Sequence, residues 1–144
     1  MKLIIDLETN GFLDKLDVIH CIVCKDIETN KVYSYNPDNL NDGLELLKKA
    51  TLLIGHNIQG FDIPVIEKIY NTEIKAEVYD TLIVSRLIYT NLFDLDLKAN
   101  KIPSRLFGKH SLESWGYRLS QQKGEYLNIN GWDNWTPEMQ EYCE

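Results

Sequence analysis

Two acids stand first among the residues able to do chemistry. Asp6 and Glu8 are two apart in Lys2-Leu3-Ile4-Ile5-Asp6-Leu7-Glu8, an apolar run of β-formers, and alternate side chains of a strand share a face. Carboxylates so placed repel one another unless a cation neutralises them, and hard oxygen donors suit Mg²⁺ or Mn²⁺. On the pair alone, a solvated strand end is the simpler reading. A second group, His56-Asn57-Ile58-Gln59-Gly60-Phe61-Asp62, sets amides, a glycine and an aromatic ahead of an acid at a strand-to-helix junction, where Asp62 also suits the start of a helix. Asp80, before Thr81, reads as a plain N-cap. These acids converge if their strand ends share one edge of a sheet, where ligand sites of open α/β folds gather. Cys21-x-x-Cys24 suggests zinc or redox chemistry, but residues three apart on a strand face opposite sides and no second such pair exists. Both are expected to be strand residues in a reducing compartment.

The elements that must hold these groups follow from periodicity. Residues 2–7 read as a buried strand broken at Asn10-Gly11. Residues 18–25 and 31–35 read as two more, separated by Asp26-Ile27-Glu28-Thr29-Asn30, which predicts a three-stranded antiparallel meander. Leu44 and Leu47 begin a helical spacing capped near Asp42, and residues 51–55 suit a buried strand. Ile63, Val65, Ile66 and Ile69 predict a helix with Pro64 in its first turn, where a missing N–H costs little. Val78 and Tyr79 make a brief strand, 81–89 a helix, and Ser111 opens another helix with Trp115 and Leu119 on one face. Residues 94–108 have no clear period and read as an irregular excursion, and Thr136-Pro137-Glu138 begins a last helix. Strands followed by alternating helices and strands give an α/β fold, a mixed central sheet with flanking helices, as a single domain over 1–144.

Composition agrees with that frame. With 144 residues, 44% of them hydrophobic, the chain is long enough to bury a core and too ordinary for a disordered or low-complexity protein. No apolar run approaches the roughly 18 residues of a membrane span, and carboxylates at positions 6 and 8 come too early for a secretory signal, so a cytoplasmic location without a membrane partner is expected. A net charge of −7 argues against a simple electrostatic clamp on nucleic acid. Yet residues 98–123 hold six basic side chains (Lys98, Lys101, Arg105, Lys109, Arg118, Lys123) against one acid, Glu113, for a local charge of +5. Interleaved with Phe107, Trp115 and Tyr117, this strip suits a phosphate backbone; it equally suits a helix burying Trp115 with basic side chains outside. A mixture is expected, with Trp115 in the core and some of Arg105, Lys109 and Arg118 facing DNA or a neighbouring domain. His56 and His110 are expected to be hydrogen-bonded structural residues rather than metal ligands.

Taken in order, the motifs resemble a known family. Asp6-x-Glu8-Thr9 resembles the first motif of the DEDD group of 3′–5′ exonucleases, and Asn57-x-x-x-Phe61-Asp62 the second. Tyr142-Cys143-Glu144 resembles the opening of the Tyr-x-x-x-Asp motif of the tyrosine branch; its aspartate would fall two residues past Glu144. The likeness is closer still to the proofreading exonuclease domain of bacteriophage family A DNA polymerases of the thioredoxin-binding podophage type. It is carried by Tyr79-Asp80-Thr81-Leu82-Ile83-Val84-Ser85-Arg86-Leu87-Ile88, by Lys101-Ile102-Pro103 to Phe107-Gly108, by His110-Ser111-Leu112-Glu113-Ser114-Trp115-Gly116-Tyr117-Arg118-Leu119 and by Lys123-Gly124-Glu125-Tyr126. The predicted order of elements also resembles that of ribonuclease-H-like folds.

The resemblance implies a 3′–5′ DNA exonuclease using two Mg²⁺ ions, with Mn²⁺ as a substitute, and releasing nucleoside 5′-monophosphates from a single-stranded DNA 3′ end. Asp6 would bridge the ions, Glu8 would help hold the ion that activates water, and Asp62 would serve the second ion. Tyr142 would hydrogen-bond that water, since a phenol of pKa about 10 is better suited to orient than to deprotonate it; otherwise it is a packing residue of an amphipathic helix. Phe12 resembles the family's apolar wedge between terminal bases, with a buried turn residue nearly as good a reading. Thr9, Asn57 and Phe61 come with the motifs as nucleic-acid contacts, alongside Arg105, Lys109 and Arg118. The expected partners are a single-stranded 3′ end and a downstream exonuclease or polymerase segment, in cis or as a separate chain. The domain is expected to be incomplete at its C-terminal end, and the 144 residues alone to turn over weakly. The alternatives are a catalytically deficient module that binds DNA ends or protein, and an RNA-directed exonuclease similar to ribonuclease D.

Overall fold

A computed structural model of the chain describes residues 1–122 and 131–144. Its centre is β1 (Lys2–Thr9). In this strand Leu3, Ile5 and Leu7 are buried on one face, while Lys2, Ile4, Asp6 and Glu8 point to the other. β2 (Ile19–Asp26) and β3 (Val32–Tyr35) continue from it as the expected antiparallel meander. The turn between them is tied by Asp26, whose Oδ1 accepts from the N–H of Glu28 at 2.8 Å and of Thr29 at 3.3 Å. β4 (Leu52–Gly55) and β5 (Glu77–Asp80) add in parallel on the other side of β1, giving the order β3-β2-β1-β4-β5. Parallel pairing needs crossovers, and these are α1 (Leu40–Lys49) and α2 (Asp62–Tyr70).

The two sheet faces are filled differently. Leu3, Ile5, Leu7, Ile22 and Cys24 pack with Leu44 and Leu47 of α1 and Val65 and Ile66 of α2 in the main core. On the opposite face Cys21 and Val23 pack with Met139 and Cys143 of α6 (Pro137–Cys143), whose Thr136 cap accepts from the Met139 N–H. The strand register explains the division: Ile5 lies opposite Cys24 and Leu7 opposite Ile22, whereas Asp6 lies opposite Val23 and Glu8 opposite Cys21. Cys21 and Cys24 therefore face opposite sides, as strand alternation predicts, and burial pushes the Cys24 thiol up to about 12, far from a reactive thiolate.

The described residues fall into two compact units. Residues 1–80 with 131–144 form the sheet unit, and 81–122 form the second. The second holds α3 (Thr81–Ile88), α4 (Leu92–Ala99), a 3₁₀ turn at Ser104–Leu106 and α5 (Leu112–Leu119), capped by Ser111 as expected. Here Asp96 of α4 accepts from Arg118 of α5 twice, at 2.9 and 2.7 Å, and from the Gly108 N–H at 2.8 Å. Among the described residues no helix is long and apolar enough to cross a membrane.

Three local expectations need correction. Helix α1 begins at Leu40 after Asn39, so Asp42 lies within its first turn, favourably placed against the helix dipole, instead of capping it. The stretch 94–108, expected to be irregular, takes in most of α4 and the 3₁₀ turn. Phe93, Leu95 and Leu97 are exposed on that helix while Asp96 is buried, which inverts the pattern that periodicity reads. Trp115 is half-buried rather than core, and Leu119, expected on its face, is exposed. Lys123 of the basic strip, and with it Lys123-Gly124-Glu125-Tyr126, lies outside the described residues.

Candidate active site

The acids of β1 sit where the strand leaves its ladder. Pairing with β2 runs regularly from Leu3 to Glu8 and shifts between Glu8 and Thr9, and such irregularities re-aim side chains and end pairing. One ligand atom each of Asp6, Glu8 and Cys143 lies within 4.8 Å of the others. Cys143 is the member that spacing could not suggest: it arrives from α6, which packs on β1 and β2.

Asp62 joins them from the first residue of α2. It is 6% exposed, and its carboxyl is pushed up to about 7, first by burial and then by the charges of Asp6, Asp80 and Glu8, against a hydrogen bond from its own backbone N–H. The helix N-terminus would favour the anion; desolvation and three neighbouring acids outweigh it. Acids crowded so that one is pushed toward its neutral form are a place where a bound cation would relieve repulsion. The donors are hard oxygens, which fits Mg²⁺ or Mn²⁺.

This predicts an unusual pH response. An unfolded aspartate ionises near 3.9, so folding takes up a proton at Asp62 between about pH 4 and pH 7, and stability falls as pH rises through that window. Melting temperatures of the cation-free chain should fall across it, with a shallower fall for Asp62→Asn. Equal slopes for the two proteins would show that Asp62 does not carry this charge.

The loop that delivers Asp62 is built around Asp80, buried at the end of β5. Its carboxylate accepts from the Asn57 N–H at 3.0 Å and the Gln59 N–H at 3.1 Å. Asn57 adopts a left-handed φ of 65°, and its carbonyl accepts from the N–H groups of Gly60 and Phe61. A Cβ at Gly60 would lie 2.5 Å from Asn57 Oδ1, so a larger residue there would require the Asn57 side chain to move. Phe61 packs against the main core, half-buried.

The other expected contacts lie as follows. Thr9 is buried and its hydroxyl donates to the Gly11 carbonyl at 2.8 Å. Phe12 is 82% exposed in the loop after β1, so the buried-turn alternative does not describe it. The Phe12 carbonyl anchors that loop by accepting from the N–H groups of Lys15 and Leu16. Tyr142 is half-buried on α6, next to Cys143. In the second unit Lys109 is exposed and Arg105 pairs with Glu113 at 2.6 Å on the surface. Arg118 is different: it is enclosed against Asp96, with its guanidinium 4.9 Å from the centre of the Trp115 ring, and so serves the packing of its own unit. His110 is held by Ser85 at 3.0 Å.

A family model described as the RNase H superfamily matches residues 3–133. The DNA-directed DNA polymerase of Enterobacteria phage T3 is 34% identical over 169 aligned positions, which take in 97% of this chain. The chain spans about a quarter, 24%, of that relative's length. Among solved structures, the apo form of a nuclease superposes with a TM-score of 0.64 at 19% identity, covering 99% of this chain and 64% of the other. The zinc-bound complex of E. coli exonuclease I with single-stranded DNA gives 0.56 at 17% identity, covering 89% and 36%.

Proposed function

Because the chain belongs to the RNase H superfamily, we propose that it is a divalent-cation-dependent 3′–5′ exonuclease domain that hydrolyses the terminal phosphodiester of single-stranded DNA. The observation that carries this reading is the grouping of Asp6 and Glu8 at one end of the central strand, with the buried Asp62 of α2 near enough for their charges to push its carboxyl up. A structural role gives no reason to bury acids against one another. The similarity to a phage DNA polymerase over nearly the whole chain supports DNA as the substrate and a polymerase segment as the partner.

In this reading Asp6, Glu8 and Asp62 would hold two Mg²⁺ ions, with Mn²⁺ able to replace them; when bound, the ions would supply an activated water and stabilisation of the charge that develops on the leaving 3′ oxygen. Glu8 orients the attacking water, and Tyr142 donates or accepts a hydrogen bond to it from α6. Water oxygen bonds to phosphorus, the P–O3′ bond breaks, the 3′ oxygen takes up a proton, and a nucleoside 5′-monophosphate leaves. Phe12, held out on its anchored loop, stacks on a terminal base. Thr9, Asn57 and Phe61 shape the pocket for the last nucleotides, while Arg105 and Lys109 offer charge to the backbone.

Two measurements test this. A 5′-labelled single strand incubated with the protein and Mg²⁺ should shorten stepwise but slowly from its 3′ end and stop on chelation; no shortening above the background of an Asp6→Ala variant even at high protein concentration, or cutting at internal positions, overturns the proposal. Phe12→Ala should weaken binding of a short single strand by about 1–3 kcal/mol, the value of one stacked base. Its melting temperature should stay that of the parent, because the ring is exposed. Undiminished binding would remove Phe12 from the DNA path.

A further inference from the structure

The proposed chemistry uses three carboxylates and leaves one donor unassigned. Cys143 Sγ lies within the same 4.8 Å group as the Asp6 and Glu8 oxygens. It is 5% exposed, and α6 places it on the sheet face to which Asp6 and Glu8 point, beside Cys21. Atoms bound to one tetrahedral ion at 2.0–2.3 Å stand roughly 3.5 Å apart, so about an ångström of side-chain adjustment would bring all three onto one ion. Asp62, buried at the start of α2, feels the charges of the same two acids but is not a member of that group.

Resting on the reading that this cluster holds a divalent cation, we propose that Cys143 is a further ligand, so that the centre has a mixed oxygen and sulfur donor set that takes thiophilic ions such as Zn²⁺, Cd²⁺ and Co²⁺ in preference to Mg²⁺. The preference follows from softness. A thiolate bonds these ions strongly and bonds Mg²⁺ hardly at all. Binding breaks the S–H bond, forms a sulfur–metal bond and releases the proton to solvent. A hard ion gains little from the sulfur and rests on the carboxylates alone. A thiophilic ion would then compete with Mg²⁺ for Asp6 and Glu8 while fixing Cys143 and α6 in place.

Co²⁺ is the probe. Added to the whole chain, it should produce a thiolate-to-cobalt charge-transfer absorption in the near ultraviolet, a readout independent of nuclease activity. Cys143→Ser should lose that band and bind Cd²⁺ at least about tenfold more weakly in calorimetry, since even groups one shell removed from a metal cost 10–100-fold. Mg²⁺ affinity should be unchanged in the same variant. The spectrum of the unsubstituted chain decides the matter even if that variant folds poorly. Co²⁺ binding that Asp6→Ala abolishes but that lacks the band overturns the role of Cys143 and leaves the exonuclease reading standing. A band that survives in Cys143→Ser assigns the thiolate to another cysteine and overturns it too. No cation binding that depends on Asp6 overturns both.

Discussion

Replacing Asp6 by alanine should remove divalent-cation binding and lower the rate of 3′-terminal hydrolysis by about 10³-fold or more, because cations at such a site are worth several kcal/mol of transition-state stabilisation. The loss should come without a loss of fold. Asp6 lies on the half-buried face of β1, its neighbours Ile5 and Leu7 keep the main core filled, and its charge is one of those that hold the Asp62 carboxyl high. Deleting it relieves Asp62, so the cation-free variant should melt no lower than the parent at neutral pH. Calorimetric titration with Mg²⁺ and Mn²⁺, a rate assay on a 3′-terminal label and a melting curve together check this. Cation binding that persists in Asp6→Ala would sink the site assignment.

The second large effect is expected far from any chemistry. Asp96 and Arg118 form a bidentate pair with side chains only 6% and 11% exposed, and removing one member of such a pair typically costs about 3–5 kcal/mol because the other charge stays enclosed. Asp96→Ala should therefore destabilise the protein by that amount. It also frees the Gly108 N–H, which Asp96 accepts at 2.8 Å. The double replacement Asp96→Ala with Arg118→Met should lose much less. The Arg118 guanidinium, with the Gly108 N–H, holds the Asp96 carboxyl below the usual range. Its folded value lies below its unfolded one, so its contribution is complete above about pH 4 and is lost as pH falls through the folded value. Denaturant unfolding of the three proteins at neutral and acid pH measures this. A loss under about 1 kcal/mol, the value of an exposed pair, would mean that the pair is hydrated in solution.

Much of the sheet unit was legible in advance. The alternation of Leu3, Ile5 and Leu7 with Asp6 and Glu8 identifies the strand and its acid-bearing face, and the apolar runs on either side of Asp26-Ile27-Glu28-Thr29-Asn30 identify the meander. Three acids of the candidate site were legible as residue types at junctions. What escaped has a physical cause in each case. Cys143 meets Asp6 only through the docking of α6 on the far face of the sheet, a contact spanning more than a hundred residues that no local period encodes. Asp80 organises the loop at 57–59 through backbone N–H groups, which carry no side-chain signature. Helix α4 buries an acid and exposes Phe93, Leu95 and Leu97, because Arg118 makes the acid the better inside residue. A hydrophobic pattern cannot anticipate that choice. The same pairing takes Arg118 out of the exposed positive charge that a count of basic residues gives.

The covering of the sheet's two faces bears on how the protein opens. The face under α1 and α2 is a continuous core, so the exchange of β1 amides with solvent deuterium should require global unfolding. Among the described residues, the face carrying Asp6 and Glu8 is covered by α6, which buries Met139 and Cys143 there. A single helix resting on two buried side chains should exchange its amides through local opening at a lower free energy than the strand beneath it. The strand that presents the acids and the helix that presents Tyr142 thus belong to different tiers of stability, and whatever binds between them draws its ordering cost from the weaker tier.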